Sequence, residues 1–281
     1  MRPILAFTLL FILLTTACTS STPSPTPTSN PTRTLTFTAT ATPLPSPTST
    51  PKPTDTPQPT ATPQVAVETV TFTTQDNVRL AGTLFGEGEF AVILAHMGMT
   101  GVDQTSWHPF ARLLAERGFT ALTFDFRGIG QSEGYTQYNY LVYDVYAAIQ
   151  FLNDRGYEQI VCIGASMGGT SCMRAALDRN LAGLGVLAST LSNGDPTEVS
   201  RSELQQLTLP KVFAYAQSDF LLVITDMRFM SERAPEPKLV QVFPGSAHGT
   251  NIFNTESGSQ LTDLLVNFVE AVRSGSPLPT P

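Results

Sequence analysis

The chain has 281 residues and a formal net charge of −7 at pH 7. The first 64 residues carry Arg2, Arg33 and Lys52 against Asp55, so the remainder is more acidic than the whole. An acidic domain repels phosphate backbones, which argues against nucleic acid as a partner. The length allows one large domain or two small ones.

Residues 1–17 predict an export signal. Arg2 precedes an apolar run over 4–14, which is shorter than the roughly 20 residues that a membrane-spanning helix needs. A small residue then precedes Cys18, which resembles the lipobox of bacterial lipoproteins, although Thr15 stands where they usually carry leucine. The resemblance implies cleavage before Cys18, its lipidation, and a chain anchored through that lipid at the outer face of a bacterial cell membrane. Ordinary signal cleavage without lipidation is the alternative.

Residues 18–64 predict a disordered linker behind this anchor. They are almost entirely Thr, Pro and Ser, which offer too little apolar surface to offset the entropy of ordering. Prolines favour extended segments, so the linker could reach on the order of 140 Å at ~3.1 Å per residue. We also predict a disordered tail over 274–281. The folded domain is then 65–273, which is long enough to bury a core.

Strand and helix patterns alternate along the predicted domain. Alternating apolar and polar residues over 68–74 and 78–84 predict an opening antiparallel hairpin. The apolar runs that follow are typical of strands buried on both faces, and helical spacing separates them. The predicted strands are 90–95, 120–124, 159–163, 182–187, 212–216 and 239–243, and the predicted helices are 107–116, 141–152, 166–177, 222–233 and 260–272. This order predicts an α/β fold with a mostly parallel sheet flanked by helices, and an active site at the carboxyl ends of the strands.

A G-x-S-x-G motif lies between a predicted strand and a predicted helix. It is centred on Ser166, with Gly164 and Gly168 on either side. A nucleophilic serine needs a tight strand-to-helix turn to project its hydroxyl, and the glycines keep side chains out of the space where strand and helix approach. Ser166 is therefore the predicted nucleophile.

A serine hydroxyl needs a general base, and the chain has three histidines. Enzymes with this elbow follow the chain order Ser, acid, His. His96 and His108 precede Ser166, whereas His248 follows the last predicted strand. His248 is therefore the predicted base.

The acid should lie between the nucleophile and the base, just after a strand. Asp219 follows the predicted strand 212–216 by three residues, which is where active-site groups of parallel sheets lie. Asp195, in the loop after the strand 182–187, is the alternative. We favour Asp219.

An oxyanion hole needs two backbone N–H donors. The residue after the nucleophile, Met167, supplies one, and the loop after the strand 90–95 should supply the other. Gly98 is favoured in that loop because glycine allows close approach of backbone to a ligand, with Met97 as second choice.

Three blocks of sequence resemble the α/β-hydrolase family. They are His96-Met97-Gly98, which departs from the family's His-Gly turn at its second residue, the D-x-R-G-x-G-x-S-x-G turn over 125–134, and the elbow around Ser166. The resemblance spans about 67–272 and implies an esterase, a lipase or a serine aminopeptidase-like hydrolase. It implies cleavage of an acyl bond in a small-molecule ester through an acyl-enzyme, without a cofactor. Acyl transfer, or binding by a non-catalytic domain of the same fold, are the alternatives.

Two further expectations concern a cap domain and the remaining cysteines. Many relatives insert a helical cap in the segment that is 188–211 here, and this segment is too short to hold a large one. Cys162 and Cys172 are predicted to be buried free thiols rather than a disulfide. No cysteine or histidine cluster has the spacing of metal ligands, so no metal site is predicted.

Overall fold

The computed structural model describes residues 65–279, apart from the side chain of Leu221. The predicted signal peptide 1–17, the predicted lipidation site Cys18 and the linker up to residue 64 lie outside the described residues. Among the helices that are described, none combines the length and the apolar character needed to cross a bilayer.

In the described part of the chain, eight strands form one mixed sheet in the order β1-β2-β4-β3-β5-β6-β7-β8. The strands are β1 Val67–Thr73, β2 Arg79–Phe85, β3 Ala91–Ala95, β4 Thr120–Phe124, β5 Ile160–Ala165, β6 Gly183–Leu187, β7 Lys211–Ala216 and β8 Lys238–Phe243. The pairs β1–β2 and β2–β4 are antiparallel, and the pairs from β4 through β3 to β8 are parallel. The opening hairpin and the mostly parallel sheet are confirmed.

Among residues 65–279, five α-helices cover both faces of this sheet. They are α1 His108–Glu116, α2 Leu141–Asp154, α3 Met167–Asp178, α4 Leu221–Arg233 and α5 Gly258–Ser274. Alternate residues of β3 supply two separate apolar layers: Ile93 packs in the layer with α2 and α3, and Leu94 in the layer with α1 and α5. The strands β3 to β7 are buried at every position for this reason, as their apolar runs predict, whereas β8 at the sheet edge is partly exposed.

The segment between β6 and β7 contains no α-helix. A single 3₁₀ turn, Glu203–Gln206, lies in it. A capping box precedes this turn, because the Glu203 N–H donates to Ser200 Oγ (3.2 Å) while the Ser200 N–H donates to Glu203 Oε2 (2.9 Å). The expectation of little or no cap domain is confirmed.

The prediction of free thiols is wrong. Cys162 in β5 and Cys172 in α3 form a disulfide, with their Cα atoms 5.8 Å apart. The reason lies in the sharp turn at Ser166, which folds α3 back along the strand that precedes it. Residues on either side of the turn are thereby brought within the range that a disulfide spans.

The last helix ends at a left-handed glycine, Gly275, with φ 63°. The Ser276 N–H donates to the Ala271 carbonyl at 3.0 Å, and Leu278 packs against the apolar layer of α1 and α5. The described chain thus runs several residues into the segment for which we predict a tail, and residues 280–281 lie outside it.

Candidate active site

The predicted site residues converge on one edge of the sheet. Gly98 follows β3, Ser166 follows β5, Asp219 follows β7 and His248 follows β8. These four strands are parallel, so their carboxyl ends lie side by side.

Ser166 has a positive φ of 51° with ψ −119°, a backbone conformation that non-glycine residues rarely adopt. Its N–H donates to the Leu187 carbonyl of β6 at 2.8 Å, which ties the turn to the sheet. A β-carbon at Gly164 would lie 2.3 Å from the carbonyl carbon of Gly168, and one at Gly168 would lie 2.5 Å from the Ala95 oxygen. Both positions therefore require glycine, and the strained turn is maintained by its surroundings.

His248 and Asp219 form a hydrogen-bonded pair. His248 Nδ1 lies 3.0 Å from each carboxylate oxygen of Asp219, and both residues are buried. The Phe220 N–H also donates to Asp219 Oδ1, at 2.7 Å. Because a carboxylate only accepts hydrogen bonds, Nδ1 carries the proton and Nε2 is left with its lone pair.

Asp195, the alternative acid, is exposed in the loop after β6. Its backbone carbonyl accepts a hydrogen bond from Asn139 Nδ2 at 3.2 Å. The structure brings Asp219, and not Asp195, into contact with His248.

The two predicted oxyanion donors are neighbours. Met167 is the first residue of α3, and the hydrogen bond from the Thr170 N–H to the Ser166 carbonyl opens the helix after it. The Met167 N–H is therefore one of the donors that a helix start leaves free. A β-carbon at Gly98 would lie 2.7 Å from Met167 Sδ. The Met97 side chain is buried instead, with its sulfur against Gly249.

His96 orients the loop that carries Gly98. Its Nε2 accepts from the Phe126 N–H at 3.2 Å, so its Nδ1 carries the proton and donates to the Met97 carbonyl at 2.9 Å. Burial lowers the pKa of His96, which keeps the ring in this neutral form. In a trans peptide the C=O and the following N–H point in opposite directions, so the bond to Met97 also fixes the direction of the Gly98 N–H.

The glycine-rich turn after β4 is structural. The Asp125 carboxylate accepts from the backbone N–H groups of Gln104 (3.0 Å) and Gln131 (2.9 Å). Arg127 is buried between Asp144 and Asp76, with contacts of 2.6 and 2.7 Å. All of these polar groups are occupied in holding the turn.

Sequence reasoning missed two aromatic residues of the site. The Phe220 ring packs on the His248 imidazole with the ring centres 5.3 Å apart. Tyr138 lies beside the oxyanion turn, where a β-carbon at Gly98 would come within 3.3 Å of its ring. The signal in the sequence is weak: Phe220 directly follows the acid, and Tyr138 lies in a segment rich in tyrosine.

A cavity of about 600 Å³ lies beside the His248 loop. Thr250 and Asn251 of that loop line it, together with Val102 from the loop after β3. None of the described side chains that line it is charged.

Comparison with known proteins agrees with this architecture. The sequence profile of the alpha/beta hydrolase fold matches residues 91–192, which include the elbow but neither Asp219 nor His248. The uncharacterized protein YfhR of Salmonella typhi is 25% identical over 243 residues, covering 74% of this chain and 82% of that protein.

Two similar solved structures are esterases. That of Pf2001 from Pyrococcus furiosus has a TM-score of 0.62 at 20% identity, covering 73% of this chain and 92% of that one. That of a thermophilic esterase from Thermogutta terrifontis has a TM-score of 0.60 at 19% identity, covering 73% and 99%. The eight-stranded sheet and these structural likenesses establish that the chain has the α/β-hydrolase fold.

Proposed function

We propose that the chain is a serine hydrolase of the α/β-hydrolase family that cleaves carboxylic esters. One observation carries the proposal: Asp219 holds His248 Nδ1, which leaves Nε2 free to act as a base at the edge where the strained turn presents Ser166. A buried histidine–carboxylate pair beside a strained serine is the arrangement that activates a hydroxyl for attack on an acyl carbon.

The first half of the reaction forms an acyl-enzyme. Ser166 Oγ attacks the ester carbonyl while its proton passes to His248 Nε2, and the N–H groups of Met167 and Gly98 stabilise the resulting oxyanion. The intermediate collapses when the bond to the alcohol oxygen breaks and His248 returns the proton to that oxygen. Asp219 stabilises the imidazolium between these two transfers.

The second half releases the acid. A water molecule gives its proton to His248 and attacks the acyl carbon, and the new tetrahedral intermediate collapses as Ser166 Oγ leaves and recovers the proton. The solved relatives described as esterases support esters as the first substrate class to test.

A panel of p-nitrophenyl esters of increasing acyl length tests the proposal. We expect the purified protein to release p-nitrophenol with saturation kinetics and Ser166→Ala to abolish this release. Asp195→Ala is the matched control, because this carboxylate is exposed and has no contact with His248. Hydrolysis that survives Ser166→Ala at the normal rate would contradict the proposal.

We also propose that the protein is exported and anchored through Cys18. Arg2, the short apolar run and the Thr/Pro-rich linker support this localisation. A single acyl chain binds membranes marginally, so stable anchoring requires more than one. Cys18→Ala should release the protein from the membrane fraction, and a variant that still sediments with membranes would exclude a lipid anchor at this residue.

A further inference from the structure

Large apolar side chains are exposed around the candidate site. Among the residues described, seven such side chains are exposed, and five of them belong to the segments that follow β3, β4 and β7. We name these five the apolar collar: Met99, Tyr135, Tyr138, Phe220 and Leu222. Exposed apolar side chains that cluster around a site are typical of a surface that binds a ligand or a partner.

The segments that carry the collar and surround Ser166 are nearly free of charge. The segments 97–102, 135–143, 188–195 and 217–222 contain two charged side chains: Asp219, whose carboxylate is buried against His248, and Asp195, which is exposed in the loop after β6. The cavity beside the His248 loop likewise has no charged lining among the described residues. An anionic substrate would lose hydration here without gaining an opposite charge.

The position of Phe220 assigns it to one half of an ester. The alcohol oxygen must come within hydrogen-bond reach of His248 Nε2 to receive its proton. The Phe220 ring packs on that imidazole, yet 65% of the residue is exposed. Carbon atoms attached to the alcohol oxygen therefore meet the open part of this ring.

Tyr138 lies next to the oxyanion turn. Its ring packs against Gly98, and 53% of the residue is exposed. Gly98 follows β3, which lies on one side of β5 in the sheet, whereas the Asp219–His248 pair follows β7 and β8 on the other side. The acyl chain of an ester extends from the carbon that bears the oxyanion. It should therefore lie on the side of the site where Tyr138 packs against the oxyanion turn.

We propose that the apolar collar binds uncharged esters with apolar groups on both sides of the scissile bond, and that Phe220 selects the alcohol half while Tyr138 selects the acyl half. This rests on the proposed function. It narrows the substrate class to esters that carry no charge on either side of the scissile bond.

Two ester series separate the two halves. One keeps butyrate and varies the alcohol from methyl to butyl to benzyl, and the other keeps ethanol and varies the acid from acetate to butyrate to octanoate. Hydrolysis is followed by proton release with the full chain. Phe220→Ala should lower kcat/KM for benzyl butyrate about tenfold more than for methyl butyrate, the range expected for losing contact with one apolar group. Its preference among acids should not change.

Tyr138→Ala should give the reverse pattern, with octanoate losing about tenfold relative to acetate and no change among alcohols. Phe220→Leu should retain most of the benzyl preference because it keeps an apolar side chain. Val67→Ala is the matched control: Val67 is 50% exposed on β1, at the far edge of the sheet, and its truncation should change neither series.

The outcomes separate failure of this inference from failure of the proposed function. If Phe220→Ala lowers kcat/KM equally for every ester, Phe220 only supports His248 and the assignment of halves is wrong. Hydrolysis of monobutyl succinate as fast as that of butyl butyrate would overturn the selection of uncharged esters. If the wild-type chain cleaves no ester in either series and Ser166 reacts with no fluorophosphonate, the proposed function falls, and this inference falls with it.

Discussion

The two ends of the parallel strands differ in chemistry although one sheet builds both. A cavity of about 800 Å³ lies where the chain enters β3, β4 and β5, and Glu87, Glu89, Arg155, Glu158 and Arg273 line it. The cavity at the carboxyl end is smaller, about 600 Å³, and its described lining is uncharged. The larger cavity is thus far from the candidate catalytic groups, so cavity size does not locate the site in this fold.

Charged groups at the amino end are engaged in surface contacts. Arg155 pairs with Glu68 at 2.7 Å, and Arg273 stacks on the Phe119 ring at 3.9 Å. Exposed ion pairs of this kind contribute little to stability or chemistry. The charges at this end are therefore those of a solvated surface.

Backbone strain is concentrated at the carboxyl end. In the described chain, three non-glycine residues have positive φ: Asn77, Ser166 and Ala188. Asn77 lies in the hairpin turn, whereas Ser166 and Ala188 directly follow β5 and β6. Strain held in place by tightly packed surroundings is typical of functional sites, and this distinguishes the two ends better than the cavities do.

The largest expected effect is the loss of the nucleophile or the base. Ser166→Ala and His248→Ala should each lower kcat for ester hydrolysis by about 10⁶, and the double variant should be no worse, because the two act as a unit. Glu158→Gln, at the amino end, should stay within about twofold of wild type, since surface changes are near neutral. A Glu158→Gln variant as inactive as Ser166→Ala would place catalytic groups at the amino end of the strands and contradict this comparison.

The next effect concerns the acid. Asp219→Ala should lower kcat by about 10⁴, less than loss of the base, because the histidine keeps some activity without its partner. Asp195→Ala should leave kcat within about twofold, since Asp195 makes no contact with His248. Steady-state kinetics on one ester compares them, and the opposite ranking would move the acid to the loop after β6.

A smaller effect tests how His96 orients the oxyanion turn. His96→Asn keeps a donor near the Nδ1 position for the Met97 carbonyl, whereas His96→Gln keeps an acceptor near Nε2 for the Phe126 N–H. If the bond to Met97 directs the Gly98 N–H, His96→Gln should lower kcat by about 10²-fold, because it loses that bond. His96→Asn should lower kcat by clearly less, and KM should change little in both variants. Loss of an oxyanion donor costs about 10²–10³ in kcat. Equal losses in the two variants would mean that His96 acts only in packing.

The smallest effect compares one buried titratable group at each end. Burial lowers the pKa of Lys211, at the start of β7, from 10.5 to about 8, and it also lowers the pKa of His96. At a pH between the pKa of the folded state and that of the unfolded state, the unfolded chain therefore binds a proton that the folded chain has released. Stability should therefore rise with pH between about 8 and 10.5 through Lys211, and fall as the pH drops below about 6.5 through His96.

Thermal unfolding as a function of pH measures both contributions. One group changes stability by at most ~1.4 kcal/mol per pH unit, or roughly 3–6 °C in Tm for a domain of this size. Lys211→Met should flatten the alkaline rise and leave the acidic limb unchanged, while His96→Asn should do the reverse. A Lys211→Met variant with an undiminished alkaline rise would contradict burial of this charge.

Much of the fold can be predicted from local pattern. Runs such as 90–95 are apolar at every position because both faces of the strand are covered. The elbow can be recognised because its motif is a short stretch between a strand and a helix, and Gly164 is required by its contact with Gly168 four residues later. The candidate acid and base follow from chain order and from their positions after β7 and β8. The structure places Asp219 against His248, and their catalytic roles stay predictions.

What could not be predicted depends on contacts between distant segments. The packing of Phe220 on His248 joins the loops after β7 and β8, and the orientation of His96 depends on the Phe126 N–H. The disulfide escaped prediction because composition says nothing of how far α3 folds back on β5. The apolar collar is likewise visible only once three loops are brought to the same edge.

The central claim, that Ser166 is the nucleophile activated at the carboxyl end, is tested most directly by covalent labelling. The full-length protein is treated with a fluorophosphonate and digested, and the adduct is located by mass spectrometry. We predict one adduct, on the peptide that contains Ser166, with labelling strongly slowed in His248→Ala and unchanged in Glu158→Gln. Two results would contradict the claim. One is a wild-type protein that carries no adduct on Ser166, and the other is an adduct on a different serine that forms as fast in His248→Ala as in the wild type.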